Sequence, residues 1–243
     1  KSGSKKTTTI TYGTIGSGST IVSGEAFDCD VNGDGVYDSN TERFYYVSDY
    51  YDPSTKTWND QYAVLVYYNN VYNGTGNNTS SGLTAYDSNN KNINGPITAI
   101  TKLPTTSQWK NVSLLNTSRV ILSEKSTNKT SGGTLPEAFD YTGYAARFIT
   151  SQELSKACGK TGTAVASTTG DIDQCNYLME NTKYSNNSMG TTGYWLETPA
   201  SGYSSSSWAV SSQYRRMAYP STNMASTYAV RPVIEVPITD IAY

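Results

Sequence analysis

The chain is 243 residues long, enough for one large domain or two small ones with a sizeable core. Hydrophobic residues make up 36% and charged residues only 16%, against roughly 25% charged in an average domain; Ser, Thr, Asn, Gly and 21 tyrosines fill the difference. Eighteen basic against 20 acidic residues give no electrostatic case for nucleic acid or an anionic membrane, and the absence of histidine removes Ser-His-Asp, Cys-His and imidazole-zinc chemistry.

Lys1-Ser2-Gly3-Ser4-Lys5-Lys6 reads as an internal cut, so the expectation is a piece of a longer protein whose anchor precedes Lys1. No run of about 18 apolar residues is present to span a membrane as a helix. Residues 1–24 alternate Thr, Ile, Tyr and Gly and predict an extended N-terminal segment; residues 25–243 are expected to form a single domain.

"DCDVNGDGVYDSNTE" (28–42) places Asp30, Asn32, Asp34, Gly35 and Asp38 at relative positions 1, 3, 5, 6 and 9 of an EF-hand-like loop. Hard oxygen ligands at alternate positions wrap one Ca²⁺, with Val36 offering its carbonyl, and the acid that closes the loop, Glu42, falls one residue late. The flanks read as strands, so a structural Ca²⁺ would staple a β-connection; the plain alternative is a hairpin turn at Asn32-Gly33 or Asp34-Gly35. Cys29, between Asp28 and Asp30 in an alternating stretch, is expected to face the core.

"ERFYYVSDYY" (42–51) and "QYAVLVYYNN" (61–70) are β-propensity runs joined by "DPSTKTWND", the clearest hairpin in the chain. A polar loop follows over 70–82, then strand candidates "GPITAITKL" (95–103) and "SRVILSE" (118–124), then irregular sequence. Thr150 and Glu153 form a capping box opening the helix "SQELSKAC", and a second short helix is predicted over "QCNYLMENT". Cys158 and Cys175 flank a polar loop; a bridge there would stabilise by roughly 3 kcal/mol, the alternative being two unrelated free thiols. "GYWLETP", "SSWAVSS", "YRRMAYP" and "TYAVRPVIEV" then read as short strands, with Pro232 marking an edge or bulge. Many strands, two short helices and long loops make an α+β domain.

The ordered pieces Ala146-Arg147-Phe148, Thr150 with Glu153, Tyr194-Trp195-Leu196 with Pro199, and Val230-Arg231-Pro232-Val233-Ile234 resemble the C-type-lectin-like fold. The resemblance covers about residues 144–236 and is nearest to bacterial surface versions akin to the formylglycine-generating-enzyme branch. It implies a scaffold that displays a ligand-binding segment between two anchoring strands, a segment that retroelements diversify in some relatives. Here that segment is 203–223, with Tyr203, Ser205, Ser207, Trp208, Gln213, Tyr214, Arg215, Arg216, Met217, Tyr219 and Asn223 as candidate contacts to an unknown protein or glycan on a host or neighbouring cell. Tyr and Trp give large contact area at low entropy cost, and Ser and Asn give adjustable hydrogen bonds.

Two departures bear on function. No cysteine follows Cys175, so the paired-cysteine chemistry of formylglycine-generating enzymes is not carried over. The Glu-Pro-Asn calcium tripeptide of sugar-binding lectins is absent, and Glu197-Thr198-Pro199 is no equivalent because Thr has no amide oxygen. Glu197, Asp140 and the pair Asp49 and Asp52 are the carboxylates a glycosidase-like reading would use, with solvated surface acids as the bland reading. Arg147 and Arg231 read as structural arginines bridging carbonyls or carboxylates. Seven Asn-x-Ser/Thr sequons, at Asn73, Asn77, Asn78, Asn111, Asn116, Asn128 and Asn186, are what chance gives in so Asn- and Thr-rich a chain. The expectation is a non-enzymatic, extracellular binding or adhesion domain at the bacterial cell surface; the alternatives are a structural pilin-like or fibre subunit and a sulfatase-modifying-factor-like enzyme.

Overall fold

A computed structural model describes residues 4–6, 21–72, 82–125, 138–159, 175–179, 193–211 and 216–242. The strands are β1 (Ser4–Lys6), β2 (Ala26–Cys29), β3 (Arg43–Asp52), β4 (Thr57–Tyr67), β5 (Ser118–Arg119), β6 (Glu124–Lys125), β7 (Phe139–Asp140), β8 (Gly193–Ser201), β9 (Ser207–Ser211), β10 (Arg216–Ala218), β11 (Val233–Pro237) and β12 (Ile241–Ala242). The helices are α1 (Ser151–Ala157) and α2 (Asn176–Met179). Six strands form a sheet in the order β11-β4-β3-β2-β1-β12, four form a second in the order β10-β9-β8-β6, and β5 pairs with β7. Neighbours run antiparallel except β1 with β12 and β6 with β8. A β-rich chain with open sheets and two short helices is the α+β class that the sequence predicts.

The predicted hairpin is β3–β4, but its strands run into the expected connector, leaving a turn over Pro53–Lys56. Asp52 organises that turn: its Oδ1 accepts from Ser54 N at 2.8 Å, and its carbonyl accepts from Lys56 N at 2.8 Å. The unbroken apolar run Ala63-Val64-Leu65-Val66-Tyr67 is buried throughout, because layers cover both faces of β4. Ala63, Leu65 and Tyr67 enter one core with Phe27, Phe44 and Trp195. Val64 and Val66 enter a second with Leu154, Leu178, Tyr194 and Trp208. Pro232 lies just before β11, which ends the sheet, and its carbonyl accepts from Tyr67 N at 2.9 Å.

Residues 95–103 are not a strand. Ala99–Lys102 is a 3₁₀ turn with Ala99, Ile100 and Leu103 buried and Ile97 exposed, a helical rather than a two-residue spacing. Residues 118–124 likewise give only β5 and the start of β6. Most of the N-terminal extended segment lies outside the described residues; β1 falls within it.

Thr150 caps α1, its side chain accepting from Glu153 N at 3.1 Å. The Glu153 carboxylate does not complete the reciprocal bond of a capping box; it takes Thr150 Oγ1 at 2.9 Å and Arg147 Nη1 at 3.0 Å instead. Arg147 also donates to Glu235 and to the Phe148 carbonyl. Arg231 lies over the Tyr194 ring and donates to the carbonyls of Tyr67, Tyr177 and Leu178. Both arginines are fully buried and knit strands to helices, as their motif positions predict. Cys158 and Cys175 are disulfide-bonded across 5.0 Å between Cα atoms, joining α1 to α2, and Cys29 is buried and takes part in no disulfide.

Candidate functional site

The segment expected to display ligand contacts begins where β8 ends. The turn from Ala200 to Ser206 is held by one side chain, buried Asn92, whose Nδ2 donates to the carbonyls of Ala200 (3.1 Å), Tyr203 (2.6 Å) and Ser206 (2.8 Å). Its backbone N donates to Ser204 O at 2.8 Å. A second tie comes from Thr222, whose N donates to Ser205 O at 2.8 Å, while Ser207 N donates to Pro220 O. Residues 203–207 and 220–222 therefore lie side by side on a fixed base.

Tyr203 and Tyr219 face each other across that base, with ring centroids 5.4 Å apart and planes 22° from parallel. Trp208 meets Tyr219 edge-on at 5.0 Å from within the core. Tyr219 is exposed, Tyr203 half-buried, and Ser204, Ser221 and Asn223 exposed around them. Among the described residues of the segment, this aromatic pair with a hydroxyl and amide rim is the accessible part.

Three predicted contacts do not reach the surface. Trp208 and Ser207 are fully buried, since β9 is covered on both faces, and Met217 is buried in the second core. Their role is to seat the rim. Ser205 and Arg216 are half-buried. Gln213, Tyr214 and Arg215 lie outside the described residues.

The acidic loop after β2 is wound around the Asp30 carboxylate. Asp30 Oδ1 accepts from Gly33 N (2.9 Å) and Asp34 N (3.1 Å), and Oδ2 accepts from Gly35 N (3.1 Å). Gly33 and Gly35 both take positive φ, 78° and 84°, which is why those positions need glycine. Asn111, from a distant stretch, donates to Asp30 O at 2.9 Å and fastens the loop to the body. Asp30, Asp34 and Glu42 each bring a carboxylate oxygen to within 4.8 Å of the others. Glu42, one residue out of EF-hand register, thus converges with the other two because it lies at the mouth of β3 rather than on a helix.

Asp38 stands apart from this trio. Its oxygens take Asn40 N (2.8 Å) and Thr41 Oγ1 (2.9 Å), which hold its pKa below the usual carboxylate value. Asn32 is bonded to Asp34 through side chain and backbone, and the Val36 side chain is exposed. Desolvation pushes the Glu42 pKa up, against the N–H groups of Asp38 and Asn32, and the nearby charges of Asp30 and Asp34 add to the rise. Three convergent carboxylates, one of them reluctant to ionise, have the hard-oxygen chemistry that suits a divalent cation.

Glu197 is not a surface acid. Its carboxylate is bound by Arg119 and by the Tyr141 hydroxyl in the interior, whereas Asp140 is the exposed last residue of β7, its carboxylate taking Thr142 N. Asn92 and Asn111, which hold the display turn and the acidic loop, are invisible to sequence reasoning because each acts on a segment about a hundred residues away in one case and 81 in the other. Comparisons with protein-family models, with curated proteins and with solved structures find no match for this chain.

Proposed function

We propose that this chain is a non-enzymatic recognition domain of C-type-lectin-like architecture, acting outside the cell at a bacterial surface. It binds a protein or glycan ligand through the rim around Tyr203 and Tyr219. The observation that carries this reading is the stacked pair itself: Tyr219 resting on the buried Trp208 and Tyr203 clamped at its carbonyl by Asn92, with Tyr219 open to solvent. Rigid aromatic contacts bordered by serine and asparagine suit adaptable binding. The Cys158–Cys175 disulfide supports an oxidising compartment, and Ca²⁺ at Asp30, Asp34 and Glu42 would serve as a staple for the loop after β2.

The test is to probe the protein and its Tyr203→Ala/Tyr219→Ala variant against a glycan array and an array of host surface proteins. Loss of the captured ligands in the variant, with unfolding midpoint retained, supports the rim as the site. Equal binding by both proteins places recognition elsewhere and ends this assignment.

A further inference from the structure

A second concave site lies at the tip of the β3–β4 hairpin, where residues 52–60 meet Leu115 and Asn116 to enclose about 530 Å³. That size falls within the roughly 300–1,000 Å³ of small-ligand pockets. Its wall holds Trp58, which is exposed on a molecule whose other tryptophans in the described cores, Trp109, Trp195 and Trp208, are buried. Leu115, also exposed, supplies further apolar surface.

The polar groups around this indole share one feature. Each uses one atom on its own loop and leaves the other without a protein partner among the described residues. Asn59 Oδ1 accepts from Gln61 N and Asn116 Oδ1 from Ser118 N, which leaves both Nδ2 groups as donors. Asp52 Oδ1 serves the Ser54 turn and Asp60 Oδ1 takes Gln61 Nε2, which leaves both Oδ2 atoms as acceptors. Tyr50, at 4% exposure, accepts from Arg119 Nη1 at 2.9 Å. A guanidinium only donates, so the phenol proton itself has no acceptor among the described residues, and Tyr50 lines the cleft.

We infer that this cleft is a binding site for a neutral saccharide of two or three rings. Sugar hydroxyls both donate and accept, which matches amide N–H groups alternating with carboxylate oxygens, and the C–H groups of a pyranose pack on the part of the indole left open beside Tyr51 and Lys156. The charges argue against other ligands. Two carboxylates disfavour an anion, and the Lys156 ammonium, 4.5 Å from the centre of the Trp58 ring, repels a second cation there. None of these residues belongs to the tyrosine rim, so the two assignments stand or fall separately.

The experiment is NMR titration of the protein with cellotriose, maltotriose and chitotriose, with sialyllactose and pentalysine as anionic and cationic arms. Expected is saturable movement of the Trp58 indole and the Asn59 and Asn116 side-chain amide resonances with at least one neutral trisaccharide. Affinity should fall about tenfold in Trp58→Ala and in Asp60→Ala, the scale of one lost aromatic or charge-assisted contact. It should be unchanged in Tyr219→Ala. Asp60 is exposed and, among the described residues, its side chain bonds only its neighbour Gln61, so that variant keeps the test intact even if Trp58→Ala unsettles the hairpin. No movement with any neutral sugar, binding that survives both substitutions, or response to sialyllactose or pentalysine alone would overturn the assignment.

Discussion

Arg119 and Glu197 meet in a two-pronged ion pair inside the protein, Nε to Oε2 at 3.0 Å and Nη2 to Oε1 at 3.2 Å, both side chains almost wholly removed from solvent. Glu197 also accepts from the Tyr141 hydroxyl at 2.7 Å, and Arg119 lies 3.8 Å from Glu235, the carboxylate that binds Arg147. Burying a lone guanidinium costs far more than the net worth of a satisfied pair. Glu197→Ala should therefore destabilise by about 3–5 kcal/mol, the cost of breaking a buried pair. Urea unfolding reads this as a lowered midpoint with an unchanged slope. A loss under about 1 kcal/mol would mean that the pair behaves as a surface bridge.

The tyrosines report on the same interior. Burial raises the pKa of Tyr50, Tyr67, Tyr86, Tyr141, Tyr177 and Tyr194 above the ordinary value of 10.0. A raised folded-state pKa means that the folded protein holds these protons after the unfolded chain would release them. Their contribution is whole below pH 10.0 and drains away as pH rises past it. Ultraviolet titration should thus show a set of phenols that ionises only above pH 10.0 and together with loss of near-ultraviolet circular dichroism. A single smooth transition of all phenols would contradict this burial.

How far the sequence carries depends on whether the decisive contact is local. Thr150 capping α1, Cys158 bonded to Cys175, and Arg231 just before β11 all follow from neighbours in the chain or from ordered motifs. Trp208 falls in the display segment that the resemblance implies, yet β9 is covered on both sides and alternation gives no outward face there. Residues 95–103 are rich in β-branched side chains, but the buried set Ala99, Ile100 and Leu103 follows the period of a helical turn. The cleft at Trp58 is illegible from sequence, since the β3–β4 hairpin closes it only together with Leu115 and Asn116 from a distant stretch.

The acidic loop makes a prediction in which pH and metal act together. Glu42 has a pKa raised above 4.5 by desolvation, so the stability it contributes is full below that value and is lost as pH rises through its folded-state pKa. A cation bound to Asp30, Asp34 and Glu42 requires the ionised form, and its binding offsets that loss. The calcium-dependent rise in unfolding midpoint should accordingly be small near pH 4.5 and grow as pH rises above it. Calorimetric titration at neutral pH should show one site, abolished in Asp34→Ala. A flat titration of the metal-free protein would end the calcium assignment.

Asn92 links stability to recognition. Its amide nitrogen donates to the carbonyls of Ala200, Tyr203 and Ser206, and these bonds fix the turn that presents Tyr203 to Tyr219. Asn92→Ala removes the donor and leaves those carbonyls to find water, at a cost of about 1–3 kcal/mol. Asn92→Asp should be worse at neutral pH, because the substituted side chain sets a carboxylate oxygen where an N–H stood, facing three carbonyl oxygens. Lowering the pH protonates that carboxyl and restores one donor, so the aspartate variant should recover part of its loss on acidification while the alanine variant gains nothing comparable. Hydrogen exchange at residues 200–206 separates these cases: protection there should fall in both variants, more in the aspartate, with the β3–β4 hairpin left as protected as in the parent. If the aspartate variant matches the parent at neutral pH, Asn92 is not the clamp, and the tyrosine pair is held by β9 and Thr222 instead.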